Sequence, residues 1–195
     1  AAAGLDGPET ALEGRMGLFH QFAADGAAAV EQFAALLATL GRQWHIREAA
    51  YKFLPCCHYL HPYVEALDQL GAVRPADIRA VKCLVAPGAA QIICLPWARK
   101  QTPVTGHEAR WSLPIVVAAR LTDGAIGHAT FAHPPARAVR DLAARVTWSP
   151  LEASQFPQRF EAELIVVFSD GREQRCRIED VFGGATRPAS PAQVK

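Results

Sequence analysis

Apolar side chains recur at helical spacing over residues 8–23, at Ala11, Leu12, Met16, Leu18, Phe19 and Phe22, with Gly14 and Gly17 between them. The pattern predicts a helix with close-packing glycines. Asp25-Gly26 breaks it. Residues 27–40, AAAVEQFAALLATL, predict a second and clearer helix ended by Gly41. Its alanine content implies tight helix–helix packing, so the two read as part of a helical bundle. The pattern changes near residue 42. Residues 44–52 mix aromatic and β-branched side chains and read as extended. Pro62 opens a helix that runs to a glycine stop at Gly71.

Residues 77–85, DIRAVKCLV, set Ile78, Ala80 and Lys82 against Val81, Cys83 and Val85, which predicts a partly buried strand. Residues 86–106 are rich in proline and glycine and predict irregular structure. Residues 108–121 read as helical, with a kink expected at Pro114, and Thr122-Asp123-Gly124 ends them. Residues 135–146 carry Val139, Leu142, Ala143 and Val146 on one helical face, and Thr147-Trp148 starts a strand. Residues 160–168 and 172–178 flank Ser169-Asp170-Gly171, and the Asp-Gly turn predicts an antiparallel hairpin. The order is α+β with an adjoining helical piece, not a βαβ alternation.

Composition narrows the setting. The chain has 195 residues and a net charge of +1, with basic residues scattered, which argues against nucleic acid or an anionic membrane as partner. No apolar run approaches the roughly 20 residues of a bilayer span. The N-terminal residues lack the basic head and apolar core of a secretory signal. Five cysteines, an odd number, favour reduced thiols over a disulfide framework, and so a cytoplasmic setting. Residue 1 lies in an alanine-rich stretch without an initiator methionine. Ser190-Pro191 reads as the start of a helix close to the last residue. Both ends predict a piece of a longer protein.

Candidate chemistry concentrates in residues 51–61, YKFLPCCHYLH. Three sites are open to it: a metal, a reactive thiol, or a site that binds anions and transfers protons. Zinc sites use spaced cysteine pairs with a second pair further on, whereas Cys56 and Cys57 are adjacent and Cys83, Cys94 and Cys176 stand alone. A thiolate at Cys56 or Cys57 would need its pKa lowered by the nearby histidines, and the ordinary role of a cysteine is a small buried hydrophobe. In the third reading Lys52 binds a carboxylate and His61, at a helix entry with Pro62, donates to an anion or moves a proton. A lone lysine as a solvated charge and a lone histidine as a structural group are the competing roles.

The stretch Lys52-Phe53-Leu54-Pro55-Cys56-Cys57, with His61 following, resembles the K-P-Y-P-C-C-x-x-x-H segment of the MmgE/PrpD family, which includes 2-methylcitrate dehydratase and cis-aconitate decarboxylase. Three further segments agree in order. Gly4 to Pro8 with Leu12-Glu13-Gly14 and Gly17-Leu18-Phe19 is similar to G-x-x-G-P, L-E-G and G-F-F. Glu108 to Pro114, then Ala118 to Gly124, is similar to D-A-K-F-S-L-P-Y and A-x-x-x-x-D-G. Ser169-Asp170-Gly171 and Gly183-Gly184 with Pro188 are similar to the late strand-turn-strand and G-x-x-x-x-P-L. Phe53, Leu54, Arg110 and Ile115 depart from it, and Cys57 stands where some decarboxylases have histidine. Arg110 keeps the charge of the family's lysine but forms a flatter, bidentate fork.

The resemblance implies the end of an all-helical domain over residues 1–44 and a smaller α+β domain with an antiparallel sheet over 45–186, with 187–195 returning toward the helical domain. It also implies a cofactor-free homodimer without metal, acting on a small polycarboxylate such as 2-methylcitrate in propionate metabolism. The activity expected is that of a hydro-lyase, with a related decarboxylase, an isomerase or a non-catalytic binding homologue as alternatives. This stretch of chain alone is expected to be inactive, further catalytic residues lying upstream. Lys52 and His61 are the expected catalytic residues, at the interface of the two domains. Arg110, Ser112 and Cys57 are expected to bind substrate. Ser112 could equally cap a helix. His20, His45, His107, His128 and His133 match no motif and are expected at surface or core positions.

Overall fold

The computed structural model describes residues 4, 7, 9–15, 17–23, 25–44, 46 and 49–194. Leu5, Asp6 and Pro8 of the first motif, Met16 and His45 lie outside the described residues. The chain divides into two units, Ala1–Arg47 and Glu48–Lys195.

In the first unit, α1 (Leu18–Phe22) and α2 (Gly26–Leu37) pack through Phe19 and Phe33, whose ring centroids are 5.2 Å apart. The helix expected over 8–23 is shorter. Residues 9–13 form a turn instead, and a Cβ on Gly14 would sit 2.5 Å from the Thr10 carbonyl oxygen. Asp25, expected only to break the first helix, also begins the second: its side chain accepts the Ala28 N–H at 3.1 Å.

The second unit is built on a four-stranded sheet of order β2-β1-β3-β4, with β1 Ile78–Val85, β2 Val146–Pro150, β3 Ala162–Phe168 and β4 Glu173–Ile178. The hairpin forms where the Asp-Gly turn predicts it: Gly171 takes φ +88°, and the Phe168 N–H donates to the Arg172 carbonyl. The expectation of a purely antiparallel sheet is corrected, because β2 runs parallel to β1. Residues 86–145 form the long helical crossover that a parallel neighbour requires. The simple alternation along β1 is also corrected. Ile78 and Val81 are both buried, and a register irregularity between Ile78 and Ala80 resets the phase.

Five helices of this unit, the third to the seventh in chain order, frame the site. Helix α3 (His61–Asp68) has Pro62 in its first turn and packs on β3, β4 and α7. Residues 86–106 are not irregular as expected: α4 (Pro87–Ile93) and α5 (Trp97–Gln101) lie there, and α4 starts on Pro87 at a position that needs no N–H. The single helix expected over 108–121 is two. Helix α6 (Gly106–Ala109) ends before Arg110, and α7 (Leu113–Asp123) begins on a Ser112 cap. Pro114 sits in the first turn of α7, where it costs no hydrogen bond, so no kink arises. The core lies between α3, α7 and the sheet, with Tyr63, Leu67, Val81, Cys83, Leu113, Val116, Leu164 and Val166 fully or nearly fully buried. Helix α8 (Arg137–Ala143) packs against α7. Among the described residues no helix is long and apolar enough to cross a membrane.

Candidate active site

The segment carrying Lys52 is held at both sides. The Tyr51 N–H donates to the Gly183 carbonyl at 3.0 Å, and the Phe53 ring packs against Phe182 at 5.3 Å. Gly183 has φ +90°, and a Cβ there would lie 2.6 Å from the Phe53 ring. Only glycine fits both the backbone conformation and the ring. Pro55, Cys56 and Cys57 then turn the chain toward the α6–α7 corner, where the Cys57 N–H donates to the Arg110 carbonyl at 2.8 Å. Two distant stretches of sequence are thereby joined at one point.

Between them opens a cleft of about 480 Å³. Lys52 and Arg110 line it, together with Cys57, Trp111, His107 and His128. The Arg110 guanidinium carbon sits 5.6 Å from the centre of the Phe131 ring, and its Nε is buried with no hydrogen-bond partner among the described residues. A cation braced by an aromatic face and short of acceptors is poised for an anionic ligand. His107 and His128 come from α6 and from the 3-10 turn His128–Phe131, elements that touch so closely that a Cβ on Gly106 would stand 2.0 Å from the Phe131 carbonyl oxygen. Both histidines were expected at surface or core positions without a role. They match no motif, and the one signal present in the sequence was the glycine immediately before each, Gly106 and Gly127.

Of the other expected site residues, His61 and Ser112 lie outside this cleft. His61 is buried, with Nε2 3.1 Å from the Leu54 carbonyl oxygen, and it lines a different cavity beside Val64, Glu65 and Phe182. Burial, reinforced by His58, lowers its pKa from 6.5 to about 4 despite the Leu54 contact. Its proton therefore favours the unfolded chain. Stability should be full above the unfolded pKa near 6.5 and fall as pH drops from there to about 4, at about 1.4 kcal/mol per unit across that window. Urea melts of wild type and His61→Gln at pH 7 and pH 4.5 check this, the variant losing much of the slope.

Ser112 is buried under the corner. Its hydroxyl donates to the Lys100 carbonyl at 2.5 Å and accepts the Ile115 N–H at 3.2 Å, so the helix-capping alternative describes its contacts. The Lys100 ammonium donates in turn to the Ile92 and Trp111 carbonyls, fixing the wall that carries Arg110. Cys57 lines the cleft as a protonated thiol, since burial raises its pKa. Burial likewise pushes Cys56 up to about 12. All five cysteines are free and buried, which speaks against a reactive thiolate at this site. Among the described residues no group of three or more His, Cys, Asp or Glu is arranged to hold a metal ion.

The unit is α+β, with two cations and two imidazoles around one cleft. Residues 54–195 match the family model of the MmgE/PrpD C-terminal domain, and the chain belongs to the MmgE/PrpD family. A search of the curated proteins finds no match.

Proposed function

We propose that the protein is a carbon–oxygen lyase that dehydrates a small hydroxy-polycarboxylate such as 2-methylcitrate. The observation that carries the reading is the convergence of Lys52 and Arg110 on one cleft, the Nε of Arg110 lacking a hydrogen-bond partner among the described residues. Elimination next to a carboxylate builds enolate-like charge, and two cations facing one cleft offset it. Arg110 would grip one carboxylate as a bidentate fork and Lys52 would answer the second charge.

Proton transfer needs a positioned base within the site, and His107 and His128 line the same cleft. In this scheme one imidazole takes the proton beside the carboxylate and an acid assists hydroxide from the neighbouring carbon. His61, catalytic in the sequence reading, becomes a positioning residue through the Leu54 carbonyl. Cys57 contributes wall and Ser112 supports the corner. Free, buried thiols fit the cytoplasm, and the family likeness favours a homodimer in propionate metabolism.

The test is to incubate the full-length protein with 2-methylcitrate, citrate and a hydroxy-monocarboxylate and follow absorbance of the new C=C bond. Saturable product from a polycarboxylate alone is expected. Absence of product from any hydroxy-polycarboxylate would sink the reading.

A further inference from the structure

Among the described residues Trp111 alone lines three cavities: the cleft that holds Lys52 and Arg110, and two recesses of about 330 Å³ and about 240 Å³. The larger recess is walled by Tyr59, Ile92 and Phe160, the smaller by Leu95, Pro96 and Arg99. Lys52 and Cys57 belong to the cleft and the larger recess, and His107 to the cleft and the smaller one. Trp111 therefore stands where all three meet. Its backbone is fixed at both ends: the N–H donates to the Glu108 carbonyl at 3.1 Å, and the carbonyl accepts the Lys100 ammonium at 2.8 Å. The His107 ring lies 6.4 Å from it on the smaller-recess side. The side chain is 39 % exposed and takes no part in the core cluster, so the fold does not need its bulk there.

We propose that Trp111 is the specificity-determining side chain of the cleft, a partition that sets the upper size of the substrate by closing both recesses to it. This rests on the polycarboxylate reading and deepens it by naming the residue that keeps the substrate small. The cleft, at about 480 Å³, lies toward the small end of ligand sites, which run from about 300 to about 1,000 Å³. Without the indole it would open into two spaces whose walls include Ile92, Phe160, Leu95 and Pro96. A substituent too large for the cleft would then find apolar surface to cover, each methylene removed from water being worth roughly fourfold in affinity. Lys52 and Arg110 carry the charges that face the carboxylates, so removing the indole leaves that part of the site in place.

Calorimetric titration of the full-length protein with tricarballylate and with a benzyl-substituted tricarballylate tests this, since neither carries a hydroxyl to eliminate. The wild type should bind the benzyl compound about tenfold more weakly or worse. Trp111→Ala should tighten the benzyl compound by about tenfold or more and leave tricarballylate within about threefold, and Trp111→Phe should fall between. Trp111→Leu reads the same ratio if the alanine variant does not fold. Equal affinities in the wild type, or a ratio unmoved in the variants, would overturn the partition while leaving the polycarboxylate reading standing. Equal losses of both ligands in a folded Trp111 variant would also overturn it, making the indole a contact for the carboxylates. Failure of both ligands to bind the wild type would overturn the polycarboxylate reading and this inference with it.

Discussion

Lys52→Ala should lower kcat/KM on the hydroxy-polycarboxylate by about 10³-fold, the scale of removing a charge from the site of developing negative charge. The expectation follows from how the lysine is held. Its backbone is clamped between the Gly183 carbonyl and the Phe53–Phe182 ring pair, so the ammonium enters the cleft from a fixed base. The side chain itself is exposed and has no part in the core, so the melting temperature should not move. Lys52→Arg restores charge but not length or shape, and should recover only part of the loss. Steady-state kinetics on the three proteins, with thermal melts alongside, check the prediction. A drop in turnover matched by a drop in stability would point to a structural role instead.

Gly106→Ala should destabilise the second unit by about 3 kcal/mol or more and lower its melting temperature by about 10 °C. The added Cβ would stand 2.0 Å from the Phe131 carbonyl oxygen and 2.8 Å from its carbon, and both are backbone atoms that cannot rotate away. The clash falls between the two elements that carry His107 and His128, and beside the Phe131 ring that braces Arg110. Separating them opens the cleft wall. The variant should therefore lose substrate affinity in calorimetry even at temperatures where it stays folded. A wild-type melting curve would contradict the close approach.

The parts of this fold legible in the sequence are those fixed by local chemistry. Asp170-Gly171 dictates a hairpin because glycine alone takes the positive φ there, and Pro62 opens α3 because its first turn needs no N–H. What stayed hidden depends on distant partners. The parallel pairing of β2 with β1 spans the 86–145 crossover, and the short β2 carries too weak a pattern to announce its neighbour. The irregularity near Ile78 arises from pairing with β3 and leaves no mark in β1 alone. The helix over 108–121 was read through Arg110-Trp111-Ser112 because periodicity continues across a corner that only the Lys100 and Ser112 hydrogen bonds make.

The candidate site divides in the same way. Lys52 and Arg110 were legible by type and by family likeness, and the cleft brings them together. His61, expected to be catalytic from its place at the helix entry and from the family likeness, is carried by α3 into the interior, onto the Leu54 carbonyl. His107 and His128 sit in no motif. Their place in the cleft comes from the contact of Gly106 with the 128–131 turn, which no linear pattern encodes.

Elimination from a polycarboxylate in the Lys52–Arg110 cleft would leave a new C=C bond in the product. Proton NMR of 2-methylcitrate incubated with the full-length protein in deuterated water reads it most directly. Alkene signals should grow as the hydroxy acid disappears, and vanish in Lys52→Ala. Deuterium entering unconverted substrate, with no alkene formed, would contradict elimination and place the chemistry with isomerases.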